Sequence, residues 1–121
     1  MPARFLHLSV IYLVVGACLG MYMGITQNFS LMPVHAHVLL AGWLTLAMSG
    51  MVYKAFPAAA GTRLAKAHFW LHNLGLPVFM VGLALMMTGH GKQVLLIFIG
   101  ASSLLLGLVS LALNVWRNVR S

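Results

Sequence analysis

No aspartate or glutamate occurs among the 121 residues. A chain without carboxylates has no acid–base pair for conventional hydrolysis and no carboxylate to hold a hard cation. Seven Lys or Arg are the only permanently charged side chains. They are too sparse to form a nucleic-acid face, so nucleic acid is not an expected partner. They read instead as topology signals and as attraction for anionic lipid or for a ligand's carboxylates. A single cysteine, Cys18, excludes an intrachain disulfide, and its place in an apolar run makes it a small packing residue. Hydrophobic residues make up 62% of the chain. A soluble domain of this length cannot hide that much apolar surface, so lipid is the natural solvent.

Four apolar runs follow, at about 5–26, 34–56, 64–89 and 94–115, each meeting the ~20 residues that a spanning helix needs. The first is too long for the ~7–15-residue core of a signal peptide and lacks a clear cleavage site, which predicts a retained helix. The connections are short: Gln27-Asn28-Phe29-Ser30, then Pro57 to Arg63, then Gly89-His90-Gly91-Lys92. Short connections force antiparallel neighbours. The expectation is one integral membrane domain over 1–121, an all-α, four-helix transmembrane bundle running up-down-up-down. Arg4, Lys54, Arg63, Lys66, Arg117 and Arg120 gather on one side and Lys92 alone on the other. The positive-inside rule then places both termini in the cytoplasm and His35, His37, His90 and Lys92 at the outer side, with His7, His68 and His72 in the inner half. Gly16, Gly20 and Gly24 recur at helix spacing and favour close helix contact within or between chains.

The stretch Pro33-Val34-His35-Ala36-His37 opens the second run. Ionisable side chains in a membrane helix are rare and usually functional. At about 100° per residue the two rings point about 200° apart, so one metal cannot take both from one helix. Each reaches a different metal or a different neighbour. Neutral imidazole suits haem iron and copper; the alternative is a pair of interfacial rings solvated by headgroups. His68 and His72 share one helix face and serve either as hydrogen-bonding groups between helices or as an inner metal pair. His90 and Lys92 lie level with the His pair, where Lys92 can meet a haem propionate or stand in a solvated loop. Met21, Met23 and Met32 near the His pair form a soft set suited to copper, or pack flexibly. Trp43, Tyr53, Trp70 and Trp116 fit interface belts or packing against a ring.

Three stretches together resemble the tenth helix of haem-copper oxidase subunit I: His35-Ala36-His37-Val38-Leu39-Leu40-Ala41-Gly42, Ala47-Met48-Ser49-Gly50, and Tyr53-Lys54-Ala55-Phe56-Pro57. Ala65-Lys66-Ala67-His68-Phe69-Trp70, then Gly75, is similar to the start of that family's eleventh helix. The likeness covers about half the chain. It implies that His35 and His37 ligate two different haems and that His68 ligates none. It also implies that Lys92 sits where family cations meet propionates. The family's subunit has twelve helices in three pseudo-threefold units of four, so a homotrimer of this chain would rebuild the arrangement. His37 of one protomer would then face His35 of the next across a b-type haem. The copper-site histidines of the family's other helices have no counterpart here.

The resulting expectation is a membrane haem b protein in a bacterial inner (cell) membrane, cytochrome-like. Its work would be electron transfer, or chemistry or sensing of a diatomic gas such as O₂ or NO. His35, His37, His90, Lys92 and Trp43 are its cofactor-binding residues, and a respiratory-chain redox partner is expected. If the chain is an enzyme, it is an oxidoreductase of haem-copper oxidase type. The alternatives are a copper-binding membrane protein and a structural or assembly subunit of a respiratory complex.

Overall fold

The computed structural model describes residues 1–120, all but the last residue of the expected domain. Four long helices carry the chain: α1 (Pro2–Thr26), α2 (Met32–Ala55), α3 (Arg63–Met87) and α4 (Val94–Asn118). Each is long and apolar enough to cross a bilayer. They pack as an all-α bundle, and the protein is an integral membrane protein. The boundaries lie within a few residues of the hydropathy runs, because a helix ends where the chain leaves its apolar solvent.

Local chemistry explains the ends. Pro2 and Pro33 sit in the first turns of α1 and α2, where a missing N–H costs nothing. Gln27 closes α1 in the left-handed conformation (φ 54°). The connection after α2 is more ordered than its turn composition suggests: Pro57–Ala60 form one further helical turn. Thr62 then caps α3 by accepting from the Ala65 amide at 3.1 Å. The α3–α4 turn uses Gly89 (φ +85°) and Gly91 (φ +82°), which a side chain would strain.

The second run is not α-helical throughout. Val38–Leu44 form a π-helical segment directly after His37. Thr45 marks its end, with backbone N–H and side-chain Oγ1 both donating to the Leu40 carbonyl, the latter at 2.7 Å. Such five-residue spacing defines a π turn, and π turns are frequent at functional sites. Gly42 lies in this segment because α1 presses there: a Cβ would come within 2.5 Å of Tyr12 Cγ.

Helix α1 packs on α2 and α3 packs on α4, and the two pairs meet between α2 and α3. Lipid offers no hydrophobic drive between helices, so close approach at small residues carries the association. Gly75 of α3 faces Gly100 of α4, while Gly82 of α3 receives Leu96 and Ile97 and Gly107 of α4 lies against Leu71 and His72. A Cβ on Gly75 would stand 2.8 Å from the Leu104 amide nitrogen, and one on Gly100 would run into the Phe79 backbone. On α1, Gly16 receives Leu39 and Gly20 receives the His35 ring, whereas Gly24 faces open space. Phe5, Leu46, Tyr53, Ala65 and Phe69 form a core at the end carrying the first turn of α1, here the basal end. Val34, Val38, Leu76, Met80, Leu83 and Leu104 form a second core toward the His35–His37 end.

Substituting Gly100 by Val forces α3 and α4 apart and costs ~1–3 kcal/mol or more. Gly24→Ala, with nothing to meet, stays within ~0.5 kcal/mol of the native protein. Detergent-titrated unfolding in mixed micelles measures both.

Candidate functional site

The four histidines of α2 and α3 fall into two groups. His35 is half-buried between α1 and α2, with Nδ1 2.8 Å from the Gly16 carbonyl oxygen. A carbonyl only accepts, so Nδ1 carries the proton and donates it. The ring occupies the space that Gly20 leaves open: a Cβ there would lie 2.9 Å from His35 Cε1. His37 is exposed, and its Nδ1 donates to the Pro33 carbonyl one turn back at 2.7 Å. Its ring stands edge-on to Phe79 of α3 at 5.2 Å. A neutral imidazole has one N–H, so both rings keep the unprotonated lone pair on Nε2. The same outer-shell bond fixes metal-binding imidazoles. The rings lie in different surroundings, His35 against α1 and His37 toward α3 and the outside.

His68 and His72 are wholly buried on α3 and belong to one hydrogen-bonded chain. His72 Nε2 lies 2.8 Å from the Ala41 carbonyl oxygen of the π segment and must donate to it. With neutral rings, His72 Nδ1 accepts from His68 Nε2 at 3.1 Å, and His68 Nδ1 accepts from the Tyr53 hydroxyl at 2.8 Å. Phe5 of α1 covers the Tyr53 and His68 rings, each 5.1 Å away. The pair therefore joins α3 to α2 by hydrogen bonds and leaves no ring nitrogen free for a metal.

The remaining sequence candidates are dispersed. His90 and Lys92 are exposed in the turn at the His35–His37 end, and His90 Nδ1 is bonded to Thr88 Oγ1 at 3.0 Å. Trp43 is half-buried on the π segment, His7 is exposed at the basal end, and Trp70 and Trp116 face outward. Met21 and Met32 are exposed while Met23 is buried, so the outer thioethers do not form one set with the histidines. Among the described residues no three His, Cys, Asp or Glu side chains gather around one point. Tyr53 is no interface residue: it is wholly buried and begins the polar chain. Its sequence signal is the spacing of one aromatic hydroxyl in α2 opposite a histidine pair in α3, meaningful only once the helix pairing is known. Asn73 Oδ1 on α3 is buried without a partner, while its Nδ2 donates to the Phe69 carbonyl at 2.8 Å.

Compared with protein-family models, curated proteins and solved structures, the chain finds no match.

Tyr53→Phe leaves His68 Nδ1 without a donor and costs ~0.6–1.7 kcal/mol, the range of hydrogen bonds between membrane helices. His7→Ala, at an exposed position, changes stability by less than ~0.5 kcal/mol. Unfolding of the purified variants in micelles distinguishes the two.

Proposed function

We propose that this four-span membrane protein is a cytochrome-like haem b protein. His35 and His37 would hold the haem iron, which would supply one-electron transfer or diatomic-gas chemistry within the membrane. The observation that carries the reading is the fixed tautomer of both rings: Nδ1–H is tied to a backbone carbonyl in each, which leaves Nε2 as the donor atom. Ligating histidines need that arrangement, and a solvated interfacial ring does not. The exposed His37 ring, with the apolar edge of Phe79 beside it, suits a flat hydrophobic macrocycle approaching from outside the protomer. Haem supplies one-electron chemistry when bound, with a potential tuned by its axial ligands.

The proposal extends to an assembly. One protomer offers its two rings in different directions, so an iron with two histidine ligands takes them from different chains. A homotrimer closes the set, with His37 of one copy facing His35 of the next, as in the arrangement of haem-copper oxidase subunit I that the His-x-His helix resembles. Lys92, exposed at the same end, is the cation available to a propionate, with His90 beside it. Trp43, half-buried one to two turns below His37, would be available to pack against the ring. With both histidines holding it, the iron would supply electron transfer, and gas chemistry would need one of them released.

A reduced-minus-oxidised visible spectrum of protein expressed with ample haem tests the reading. Sharp Soret and alpha bands are expected, lost or converted to high spin by His37→Ala. A featureless spectrum overturns it, and copper titration then becomes the next experiment. The haem-loaded native protein is expected at three chains in native mass spectrometry; a monomer or dimer overturns the trimer.

A further inference from the structure

Tyr53, His68 and His72 form a continuous, directional row of groups that each donate and accept, with links of 2.8 and 3.1 Å. The row ends 2.8 Å from the Ala41 carbonyl. Ala41 is four residues, about 6 Å along the helix, from His37. At the other end Tyr53, itself wholly buried, is among the residues behind a cleft of about 460 Å³ at the basal end of the bundle, lined also by Pro2, Leu6, Lys54, Pro57 and Ala60. The row runs from a residue lining that cleft to within about a turn of the proposed ligand, in a chain with no carboxylate for moving protons.

We infer that Tyr53, His68 and His72 are a proton relay that loads one proton onto His72 when an electron arrives at the His37 site. This rests on the haem reading above. The step balances atom by atom. A hydronium from the cleft gives a proton to the Tyr53 oxygen and is left as water, as the Tyr53 O–H proton passes to His68 Nδ1. The His68 Nε2–H bond breaks as its proton passes to His72 Nδ1. Tyr53 is again a hydroxyl, His68 is neutral in its other tautomer, and His72 is an imidazolium whose Nε2–H still meets Ala41. One proton has entered and one positive charge stands on His72. An isolated charge there is costly in a low-dielectric interior, and the electron carried nearby is the compensating charge. The electron comes from the reductant that serves the haem, a one-electron donor of the membrane or, in the experiment, dithionite. Around the row, α1 presents Phe5, and α4 presents its backbone at Gly107 and the wholly buried Asn114 side chain, which hydrogen-bonds the Tyr53 hydroxyl. The titratable groups facing it are Tyr53 from α2 and the two imidazoles themselves, with Lys54 and the Met1 α-amino group the cations at the cleft.

The test is a potentiometric titration of the haem-loaded protein from about pH 6 to 8, with proton uptake on reduction read by an indicator dye. The wild type is expected to shift by ~59 mV per pH unit, a tenfold change in equilibrium per unit, and to take up about one proton per electron. His72→Gln keeps a donor for the Ala41 carbonyl but cannot hold the proton. Tyr53→Phe keeps the ring and breaks the entry. Both variants are expected to retain the haem spectrum while the slope and the uptake fall away. A wild-type potential independent of pH overturns the relay and leaves the haem reading standing. A slope unchanged in His72→Gln also overturns it and reduces the row to a structural strut. Absence of any haem band in the same samples overturns both.

Discussion

The hydrogen bond from His72 Nε2 to the Ala41 carbonyl ties the interior together. It is where the α3 side of the bundle grips the α2 side, and it falls on the π segment of α2. In hydrocarbon a polar group finds its partner within the protein or goes without, at a cost of several kcal/mol. Fixing the proton on His72 Nε2 fixes the acceptor role of its Nδ1, then the donor role of His68 and the hydroxyl direction of Tyr53. One acceptor-only carbonyl thus orders three side chains on two helices.

The rest of the packing supports that junction. Glycines bring α3 and α4 to backbone contact, so α3 presents a firm face with His68 and His72 on it. Tyr12 presses on Gly42, and α1 holds the π segment from the other side. His35 enters the notch at Gly20 and bonds to Gly16 on the same helix. The four imidazoles in the spans therefore divide by tautomer. The two at the opening of α2 carry the proton on Nδ1, and the two on α3 carry it on Nε2. The first arrangement suits ligation through a free Nε2. The second suits a row of donors and acceptors with no lone pair left over.

The number and span of the helices were legible because length and hydropathy alone decide whether a segment crosses a membrane. The divergence of His35 and His37 follows from helix geometry and needs no neighbours, since both precede the π segment and stand on α-helical backbone. The π segment itself was not legible. Val38–Leu44 has the apolar composition of an α-helix, and its register is set by Thr45, by Tyr12 against Gly42 and by His72, the last two from other helices. The place of Tyr53 stayed open between an interface and ring packing for the same reason: its neighbours Phe5 and His68 come from α1 and α3. Spacing put His68 and His72 on one face but could not say what met that face. Ligation itself depends on an Nδ1 partner, one of which, Gly16, lies on another helix.

The division of the histidines by tautomer is the central claim, and nitrogen-15 solid-state magnetic resonance of histidine-labelled protein in lipid bilayers reads it directly. With single His→Gln variants for assignment, His35 and His37 are expected as neutral rings with the proton on Nδ1. His68 and His72 are expected as neutral rings with the proton on Nε2. His35 or His37 found with the proton on Nε2, or averaging between tautomers, would leave no donor atom prepared for a metal and would contradict the account.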